Sequence, residues 1–409
     1  MSSYRFLKVI IVAACLWMLP SCDGFWEDDN SGESIELSAS QEKMVKAGNE
    51  LGFRMMENLN AAGTSTLVSP YGVSQLLGML SSGATGETRL QICYVAGFPG
   101  AGESEVNEFF KAMNKGLDPK NGVNMSIANS LWTATRFPVK RDYVSECSKY
   151  YVATAQTVDF SKKSTLTTIN KWCSKATDGL IATMFPSLSE QMDMLLLNTG
   201  CLDAQWASKF KKTATQKAEF TCADGSKRTK DFMQQVNKGD FRCYVGSEAA
   251  MLEMPYLNRM YSMVCVLPGE GSNLEQLLGN LTSDKWADWT ARLSDETACQ
   301  VFLPKFEIAY EGDLVPVLKG MGLTLPFAEG AQFGNIAEGS MCLSDMRQKS
   351  IITVEEDRTL VVASTSSVVQ PTGITINKEN ITFRFDEPFI FAIRERSTGA
   401  ILFLGTVVD

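Results

Sequence analysis

Two Ser-x-x-Lys segments carry the residue types of a Ser-Lys nucleophile, in which a nearby amine takes the proton of a serine hydroxyl. The segments are Ser40 to Lys43 and Ser208 to Lys211, and Tyr256 to Asn258 has the form of the companion motif in such enzymes. The Lys-Thr-Gly that would complete the set is missing from the sequence, and Ser40 is better interpreted as a helix cap. The hypothesis of a Ser-Lys enzyme is therefore set aside.

The most informative count is that the 409 residues contain no histidine. This excludes Ser-His-Asp and Cys-His nucleophiles, zinc sites with histidine ligands and imidazole acid-base steps near neutral pH. Acidic residues outnumber basic ones, 47 to 38, for a formal net charge of −9. Because proteins bind phosphate backbones through Lys and Arg, nucleic acid is not expected as a partner.

Nine cysteines beyond Cys22 are scattered along the chain without a Cys-x-x-Cys pair. Such spacing is typical of isolated buried thiols, and it favours neither a disulfide framework nor a metal site. We therefore assign these cysteines no chemistry and expect neither a metal nor a cofactor. They are Cys93, Cys147, Cys173, Cys201, Cys222, Cys243, Cys265, Cys299 and Cys342.

The first 21 residues have the pattern of a secretory leader. Arg5 and Lys8 precede an apolar run from Val9 to Leu19, which is too short to span a bilayer. Cys22 then follows a small residue, as in a bacterial lipobox, although Pro20 stands where the lipobox usually has a small residue. We expect residues 1–21 to be a lipoprotein signal peptide and Cys22 to be lipidated; the alternative is an ordinary signal peptide with an incidental cysteine.

Residues 22–40 are polar and carry six acidic residues and no basic one. They are interpreted as an acidic, solvated tether. Loss of the two basic residues in the leader takes the formal charge from −9 to −11. Residues 41–409 contain no linker rich in Pro, Gly or Ser, so they are expected to form one globular domain.

Periodicity predicts helices and strands in mixed order across this domain. Ser38 and Gln41 have capping-box spacing ahead of a helical stripe, and Ser69-Pro70 begins a second helix. Further elements are a helix at Ile169 to Ile181, strands at Met194 to Cys201, Met263 to Leu267 and Val301 to Phe306, and a hairpin of Phe389 to Arg394 with Ala400 to Val408. The mixture indicates an α+β protein with long sheets.

The segment Thr359 to Val369 follows the acidic run Glu355 to Asp357. Its composition is unusual for a segment exposed to solvent. Six of its eleven residues are β-branched, and none is charged, Gly or Pro. Both alternating faces are small or apolar, which is the pattern of a strand covered on both sides. Pro371 ends the pattern because a strand loses a ladder donor there. The segment is either an ordinary central strand or an exposed loop that enters a sheet later.

From about residue 41 to residue 409 the chain resembles the serpin family of protease inhibitors. The likeness is carried by blocks in the family's order, which are Leu67 to Pro70, Leu80 to Ile92, Ile169 to Trp172, Ala176 to Gly179, Leu197-Asn198 with Trp206, Met254 to Tyr256, Val266 to Pro268, Leu303 to Phe306, Glu355-Glu356, Pro388-Phe389 and Leu402 to Gly405. The resemblance implies an α+β serpin fold with three β-sheets, eight or nine helices and an exposed reactive-centre loop.

The resemblance also implies inhibition by suicide trapping, so the chain is not expected to be an enzyme. A target endopeptidase cleaves the loop, and while it is still esterified to the loop, the N-terminal half of the loop inserts into the largest sheet as a new central strand. The protease is dragged along and its active site is distorted. The expected partner is this endopeptidase. We expect a monomer in the cell envelope or outside the cell, touching the membrane only through lipid at Cys22.

The family's loop count places Glu356 at the seventeenth position before the cleaved bond, which is then Thr372-Gly373. Small Thr372, preceded by Pro371, suits elastase-like serine proteases or papain-like cysteine proteases, and Lys378 is too distant for a trypsin-like one. The hinge residues implied by the family are Glu356, Arg358, Thr359, Val361, Ala363 and Thr365. The region where the sheet opens is matched by Ser69, Asn198 and Gln348.

Three departures from the family pattern bear on function. Arg358 stands where inhibitory members usually have Gly, and Leu360 to Val362 are bulkier than the usual Glu-Ala-Ala run. Both departures favour slower insertion, so the alternative is a non-inhibitory serpin-fold protein that is cleaved as a substrate or acts as a binding module. In addition, Gln348 and Gly72 replace the usual His and Ser of the sheet-opening region, so opening should lack any pH dependence due to imidazole.

Overall fold

The computed structural model describes residues 34–60, 64–117, 123–359, 373–376 and 380–409. The expected signal peptide, with Cys22, lies outside the described residues. So do Val361, Ala363 and Thr365 of the expected hinge, and Thr372 of the expected cleaved bond. The start of the hinge and Gly373 lie within them.

The described residues form nine α-helices, most of them with one buried face. Their bounds are α1 (Ala39–Asn60), α2 (Pro70–Gly83), α3 (Gly86–Ala96), α4 (Glu103–Gly116), α5 (Arg141–Tyr151), α6 (Lys163–Ala176), α7 (Leu274–Asn280), α8 (Ser283–Ala291) and α9 (Val315–Gly320). Helix α2 differs from the others because every one of its residues is buried.

The first helix begins where the capping box predicts. The backbone N–H of Ser38 donates to Gln41 Oε1 (2.9 Å), and the Gln41 N–H donates to Ser38 Oγ (3.3 Å). The interpretation of Ser40 as the cap was wrong: Ser40 lies inside α1, and its hydroxyl bonds to Glu105. Ile35 packs against the core ahead of this helix, so packing begins a few residues before the expected boundary at residue 41.

Helix α6 ends earlier than its apolar pattern predicts. The pattern runs from Ile169 to Ile181, whereas α6 spans Lys163–Ala176. The reason lies in the two residues Asp178 and Gly179, whose φ angles are 48° and 86°. A positive φ cannot continue a right-handed helix, so the chain leaves the helix there and Ile181 is buried from a loop.

Seventeen strands and two short 3-10 helices (Lys212–Ala214 and Leu325–Phe327) complete the described secondary structure. The bounds of the strands are β1 (Thr66–Val68), β2 (Val123–Ala134), β3 (Thr154–Val158), β4 (Met194–Gln205), β5 (Gln216–Thr221), β6 (Lys227–Asn237), β7 (Arg242–Val245), β8 (Ala249–Pro255), β9 (Tyr261–Pro268), β10 (Ala298–Pro304), β11 (Phe306–Asp313), β12 (Leu343–Val354), β13 (Arg358–Thr359), β14 (Gly373–Ile376), β15 (Asn380–Arg384), β16 (Phe389–Glu395) and β17 (Ile401–Val407).

These strands form three sheets. The large sheet has the order β11-β12-β4-β2-β3, and β13 pairs with β4; the C-terminal sheet has the order β1-β17-β16-β9-β8-β7; and the small sheet has the order β14-β15-β10-β6-β5. Three sheets with nine helices in the described ranges confirm the expected α+β architecture. No helix among these residues is long and apolar enough to cross a membrane.

Strand β4 is covered on both faces, which explains its continuous apolar run. Met194 and Leu196 belong to the main core, whereas Leu195 and Leu197 belong to a smaller core that includes Ile169 of α6. Alternate residues of a strand point to opposite faces, so each face of β4 meets a different core. A strand that entered the sheet beside Met194 to Leu197 would therefore be covered on both faces as well.

Two strand predictions differ from the structure. The apolar run Val301 to Phe306 is split, because β10 ends at Pro304 and β11 begins at Phe306. Between them the N–H of Lys305 donates to the carbonyl of Asp231 (2.7 Å). Strand β14, which begins at Gly373, was not predicted at all, whereas the C-terminal hairpin β16–β17 is antiparallel as expected.

Candidate functional site

The site begins at the seam between β4 and β12, the two parallel neighbours at the centre of the large sheet. Their residues pair from Leu343 with Met194 up to Ile351 with Cys201. Strand β12 continues to Val354 beside β11. Beyond Cys201, β4 pairs instead with β13. The seam between the two strands is therefore closed along Met194 to Cys201 of β4, its lower part. Beyond Cys201 the strands separate, and another segment occupies this upper gap.

That segment is the start of the expected hinge. The chain leaves β12, makes a tight turn in which the Glu355 N–H donates to the Arg358 carbonyl (2.9 Å), and reverses direction. Strand β13 then runs antiparallel to β4, with Arg358 opposite Gln205 and Thr359 opposite Ala204. The first two hinge residues after the turn thus already belong to the large sheet.

Hydrogen bonds to three backbone carbonyls fix the turn to the segment that follows β4. The indole N–H of Trp206 donates to the Glu355 carbonyl (2.7 Å), and its backbone N–H donates to the Asp357 carbonyl (3.3 Å). The N–H of Phe210 donates to the Glu356 carbonyl (2.9 Å). Since Trp206 is buried and stacks on Tyr256 (ring centroids 4.8 Å apart), this donor is held rigidly.

The side chain of Glu356 is buried against two partners from distant parts of the chain. Glu356 Oε1 accepts from the Thr215 hydroxyl (2.7 Å), and Oε2 accepts from Lys305 Nζ (3.0 Å). Glu355 Oε1 lies 3.7 Å from the same ammonium. Burial by itself raises the pKa of Glu356, but the bonds from Thr215 and Lys305 outweigh it and hold that pKa below its usual range.

The other two residues of the turn form ion pairs at the surface. Asp357 pairs with Lys212 (3.2 Å). Arg358 Nη1 lies 3.5 Å from Asp203 Oδ2 on β4, and the side chain of Arg358 is 44% exposed. The guanidinium therefore lies on the solvent side of the sheet. Arg358 does not point into the core, where its charge would oppose entry of the strand.

The three residues assigned to sheet opening lie together at the closed part of the seam, and all are fully buried. Gln348 and Asn198 are direct neighbours across β12 and β4, and Gln348 Nε2 donates to Asn198 Oδ1 (2.7 Å). The Ser69 N–H donates to Gln348 Oε1 (2.7 Å), and Gln348 Nε2 also donates to the Ser69 carbonyl (3.2 Å). One amide thus joins α2, β12 and β4.

The network continues under the sheet through further neutral amides. Asn198 Nδ2 donates to Asn129 Oδ1 (2.8 Å) on β2, and Asn129 Nδ2 donates to Gln75 Oε1 (2.6 Å) on α2. Gly72 lies against it, since a Cβ there would sit 2.5 Å from the amide atoms of Asn198. A serine at position 72 would require Asn198 to move, so glycine and this amide arrangement go together.

The C-terminal side of the expected loop enters the small sheet. Gly373 pairs with Arg384 and Ile376 pairs with Ile381, so β14 is an extra edge strand beside β15. Strand β15 pairs in turn with β10 in parallel. The expected cleaved bond therefore joins Thr372 to Gly373, the first residue of β14.

Sequence reasoning missed several residues of this site. Lys305 and Trp206 lie in blocks that were noted for the resemblance, but they received no role; Thr215 and Asp203 were not noted. The bonds that Lys305, Thr215 and Trp206 make to the turn join residues that are 51 to 149 positions apart in the chain. Long-range pairing of this kind leaves no local pattern, and the blocks that contain Lys305 and Trp206 were the signals available.

The Ser-Lys candidates take structural roles instead. Ser208 donates to the carboxylate of Asp240, and Asn258 is buried, with its Oδ1 accepting from the Met260 N–H (3.2 Å). Ser40 bonds to Glu105 as described above. No cluster of three or more Cys, Asp or Glu side chains suited to a metal ion occurs within the described ranges.

A family model described as Serpin (serine protease inhibitor) matches residues 46–409, nearly the whole chain. The chain belongs to the serpin family. Serpin homologues are protease inhibitors, so membership supports an inhibitor rather than an enzyme. The buried Glu356 turn, the strand β13 and the amide network are thus parts of a serpin.

Named relatives cover almost the same span. Iripin-3 of Ixodes ricinus is 31% identical over 90% of this chain and 94% of its own length. Human Serpin B11 is 30% identical over 86% of this chain and 95% of its own length. The native-state crystal structure of Tengpin, a thermophilic serpin, superimposes with a TM-score of 0.82 at 26% identity, covering 93% of this chain and 97% of that one.

Proposed function

We propose that this serpin is a secreted, lipid-anchored bacterial inhibitor that traps elastase-like serine proteases or papain-like cysteine proteases. The observation that carries the proposal is the pairing of β13 with β4 in the upper gap of the large sheet. The chain that follows β13 has a composition suited to a strand buried on both faces. Insertion after cleavage then extends β13 down the seam.

Contacts across the seam oppose insertion of the loop before it is cleaved. A strand that passes between β4 and β12 must break their backbone pairing and the bond between Gln348 and Asn198. Both side chains are fully buried, so the two atoms of this bond would lose it without gaining water. Cleavage frees the N-terminal half of the loop from its anchor in the small sheet, and the new ladder bonds and buried Val side chains then favour opening.

Arg358 does not argue against trapping. Its side chain lies on the solvent side and pairs with Asp203, so the strand can lengthen while the charge stays in water. The proposal of elastase-like or papain-like targets rests on small Thr372 before Gly373, as the family's loop count assigns them. The lipid anchor rests on the position of Cys22 after the leader.

A denaturing gel tests the proposed trapping. The chain from Asp23 onward, which retains every residue described, would be mixed with an elastase-like and a papain-like protease, and the released C-terminal peptide weighed by mass spectrometry. A complex that survives boiling, with a fragment that begins at Gly373, is expected. Clean cleavage without a complex would instead establish the non-inhibitory alternative.

The proposed anchor needs a test of its own, on the full chain expressed in a bacterium. Lipidation predicts that the protein fractionates with membranes and that Cys22→Ala moves it to the soluble fraction. Cys265→Ala is the control, because Cys265 is buried inside the fold. If the Cys22→Ala protein stays in the membrane fraction, the anchor is not at Cys22.

A further inference from the structure

Polar side chains cross four adjacent strands of the C-terminal sheet, near the turn that joins β8 and β9. In the order of the sheet they are Arg242 on β7, Glu253 on β8, Ser262 on β9 and Arg394 on β16. Arg242 lies directly opposite Glu253, and Ser262 lies directly opposite Arg394. Arg396 follows the end of β16, and because alternate residues of a strand share a face, it lies on the same side as Arg394.

The three arginines share one carboxylate, that of Glu253, which is buried. Arg394 donates from Nη2 and Nε to Glu253 Oε1 (2.7 and 3.0 Å), and Arg242 Nη1 donates to Oε2 (3.2 Å). Arg396 Nε lies 3.6 Å from Oε1, which also accepts from the Ser262 hydroxyl (2.7 Å). Burial raises the pKa of Glu253, but Arg394 and Arg396 outweigh it and hold that pKa below its usual value, so the carboxylate is charged at neutral pH.

Three guanidinium groups and one carboxylate leave two positive charges uncompensated. Arg259, whose carbonyl accepts from Arg396 Nη1 (3.2 Å), adds no net charge because it is paired with Asp240 (2.7 Å). The carboxylate of Glu395 accepts bonds from the turn at residues 397–398. No other carboxylate among the described residues forms an ion pair with the three arginines.

We propose that Arg242 and Arg396, supported by Arg394, bind a small tetrahedral dianion of the inorganic phosphate or sulfate class. The two negative charges of such an ion match the two uncompensated positive charges. Guanidinium groups suit its oxygens, because their N–H donors are arranged in a planar fork that bonds two oxygens at once. A carboxylate ligand or a phosphodiester carries a single charge and would leave one guanidinium uncompensated.

The two proposed ligand-binding arginines reach solvent, whereas the third does not. The side chains of Arg242 and Arg396 are 30% and 27% exposed, and that of Arg394 is 8% exposed. Arg242 bonds through Nη1 to Glu253 and through Nη2 to the Leu293 carbonyl (2.7 Å). Since a guanidinium has five N–H groups, donors remain on both exposed arginines for an anion that arrives from solvent.

The surroundings of Arg396 show why an anion would stabilise the folded chain. Burial is the main cause that lowers the pKa of Arg396; Glu253 opposes it, and the charges of Arg394, Arg242 and Arg259 add to it. The charged guanidinium is therefore less favourable here than in water. An anion beside it would offset the repulsion between the arginines. Because the site exists only in the folded chain, binding should raise the melting temperature.

Thermal unfolding of the chain from Asp23 onward tests the proposal, with inorganic phosphate as the probe and the ionic strength held constant with sodium chloride. We expect the melting temperature to rise with phosphate and to have risen by about 3 °C at a concentration 100 times the dissociation constant. Sulfate should act alike. No rise, or an equal rise with chloride or acetate at the same ionic strength, would overturn the proposal.

Arginine variants assign the effect to the cluster. Arg242→Gln and Arg396→Gln should each weaken the affinity for phosphate about tenfold, the value of one charged hydrogen bond. The control is Arg292→Gln, which removes an exposed arginine that is paired with Asp288 next to the same sheet, and it should leave the affinity unchanged. An unchanged affinity in Arg396→Gln would contradict the assignment. If a variant fails to fold, the comparison of phosphate with chloride on the unaltered chain remains decisive.

A vesicle experiment distinguishes a free dianion from a lipid headgroup. The chain from Asp23 lacks the expected lipid anchor, so it should not sediment with phosphatidylglycerol vesicles, whose headgroups carry one charge each. Sedimentation with these vesicles, without a shift in melting temperature from phosphate, would overturn the proposal in favour of a membrane contact. Neither experiment depends on whether the chain traps a protease.

Discussion

The guanidinium of Arg358 and the carboxylate of Asp203 form an ion pair across β13 and β4, with Nη1 3.5 Å from Oδ2. The pair lies on the solvent side of the large sheet at the point where the hinge enters it. A residue that departs from the family pattern is thereby accommodated as part of a strand. Its contribution should be that of a surface ion pair and not of a block to insertion.

Replacing Arg358 should consequently change little. In Arg358→Gly the lost ion pair and the added freedom of glycine together cost about 1 kcal/mol of unfolding free energy. The fraction of cleavage events that end in a trapped complex should stay within about twofold of the original protein, since the hinge keeps its backbone pairing. Gel densitometry of complex against cleaved inhibitor measures this fraction.

The matched control is Asp203→Asn, which removes the same ion pair but leaves the hinge sequence intact. Both variants should trap equally well. A several-fold gain in trapping for Arg358→Gly alone would contradict the account, because Arg358 itself would then be what slows insertion.

Removal of the Glu356 carboxylate should destabilise the turn that starts the hinge. In Glu356→Ala, the Thr215 hydroxyl and the Lys305 ammonium each lose one bond to a carboxylate, and Glu355 at 3.7 Å compensates the Lys305 charge only in part. We expect a loss of about 2 kcal/mol of unfolding free energy at pH 7, the value of a hydrogen bond to a charged group. Denaturant titration measures it.

The same residue predicts a pH dependence with a defined sign. Because the pKa of Glu356 is lowered in the folded state, its stabilisation is present above the unfolded pKa of about 4.3 and is lost as the pH falls through the lower folded value. The stability gap between the original protein and Glu356→Ala should therefore be constant from pH 8 to pH 5 and close below about pH 4. A gap that widens on acidification would contradict this assignment.

The buried amide network that joins Gln348 to Asn198 and Ser69 predicts that Gln348→Ala loosens the large sheet. The substitution removes the acceptor of the Ser69 N–H and the donor to Asn198 Oδ1, both buried, at a cost of about 2 kcal/mol. Thermal unfolding should show a lower midpoint, and the uncleaved protein should polymerise or self-insert faster on warming. Gln156→Ala on the exposed edge strand β3 serves as the control and should behave like the original protein.

Specificity should follow the residue before the cleaved bond. Thr372→Asp places a charge where an elastase-like or papain-like protease accepts a small side chain, so the second-order rate of inhibition should fall at least about tenfold. Lys378→Ala, beyond the assigned bond, should leave the rate unchanged. Unchanged inhibition by Thr372→Asp would show that cleavage occurs elsewhere in the loop.

Local signals in the sequence predicted the parts of the fold that depend on neighbours in the chain. The capping box at Ser38 and the Ser69-Pro70 start of α2 were confirmed, because a cap requires only residues three positions apart. The predicted end of α6 was wrong because the apolar pattern continues past Asp178, whose positive φ breaks the helix. Burial from a loop and burial from a helix give the same pattern there.

The site was predictable only in part. The resemblance supplied Glu356, Asn198 and Gln348, but neither Thr215 nor Asp203, whose roles depend on strands brought together by the fold. Strand β14 was missed because its four residues, Gly373–Ile376, follow Pro371 closely and have the composition of a loop. Pairing with β15, which no local pattern encodes, makes it a strand.

The melting temperature before and after cleavage in the loop tests the central claim most directly. If the freed loop continues β13 down the seam between β4 and β12, cleavage should raise the melting temperature sharply. The control is Val361→Asp, which should be cleaved at the same bond but fail to gain stability, since a charge would enter a strand that is covered on both faces. An unchanged melting temperature after cleavage of the original protein would contradict loop insertion and, with it, the proposed trap.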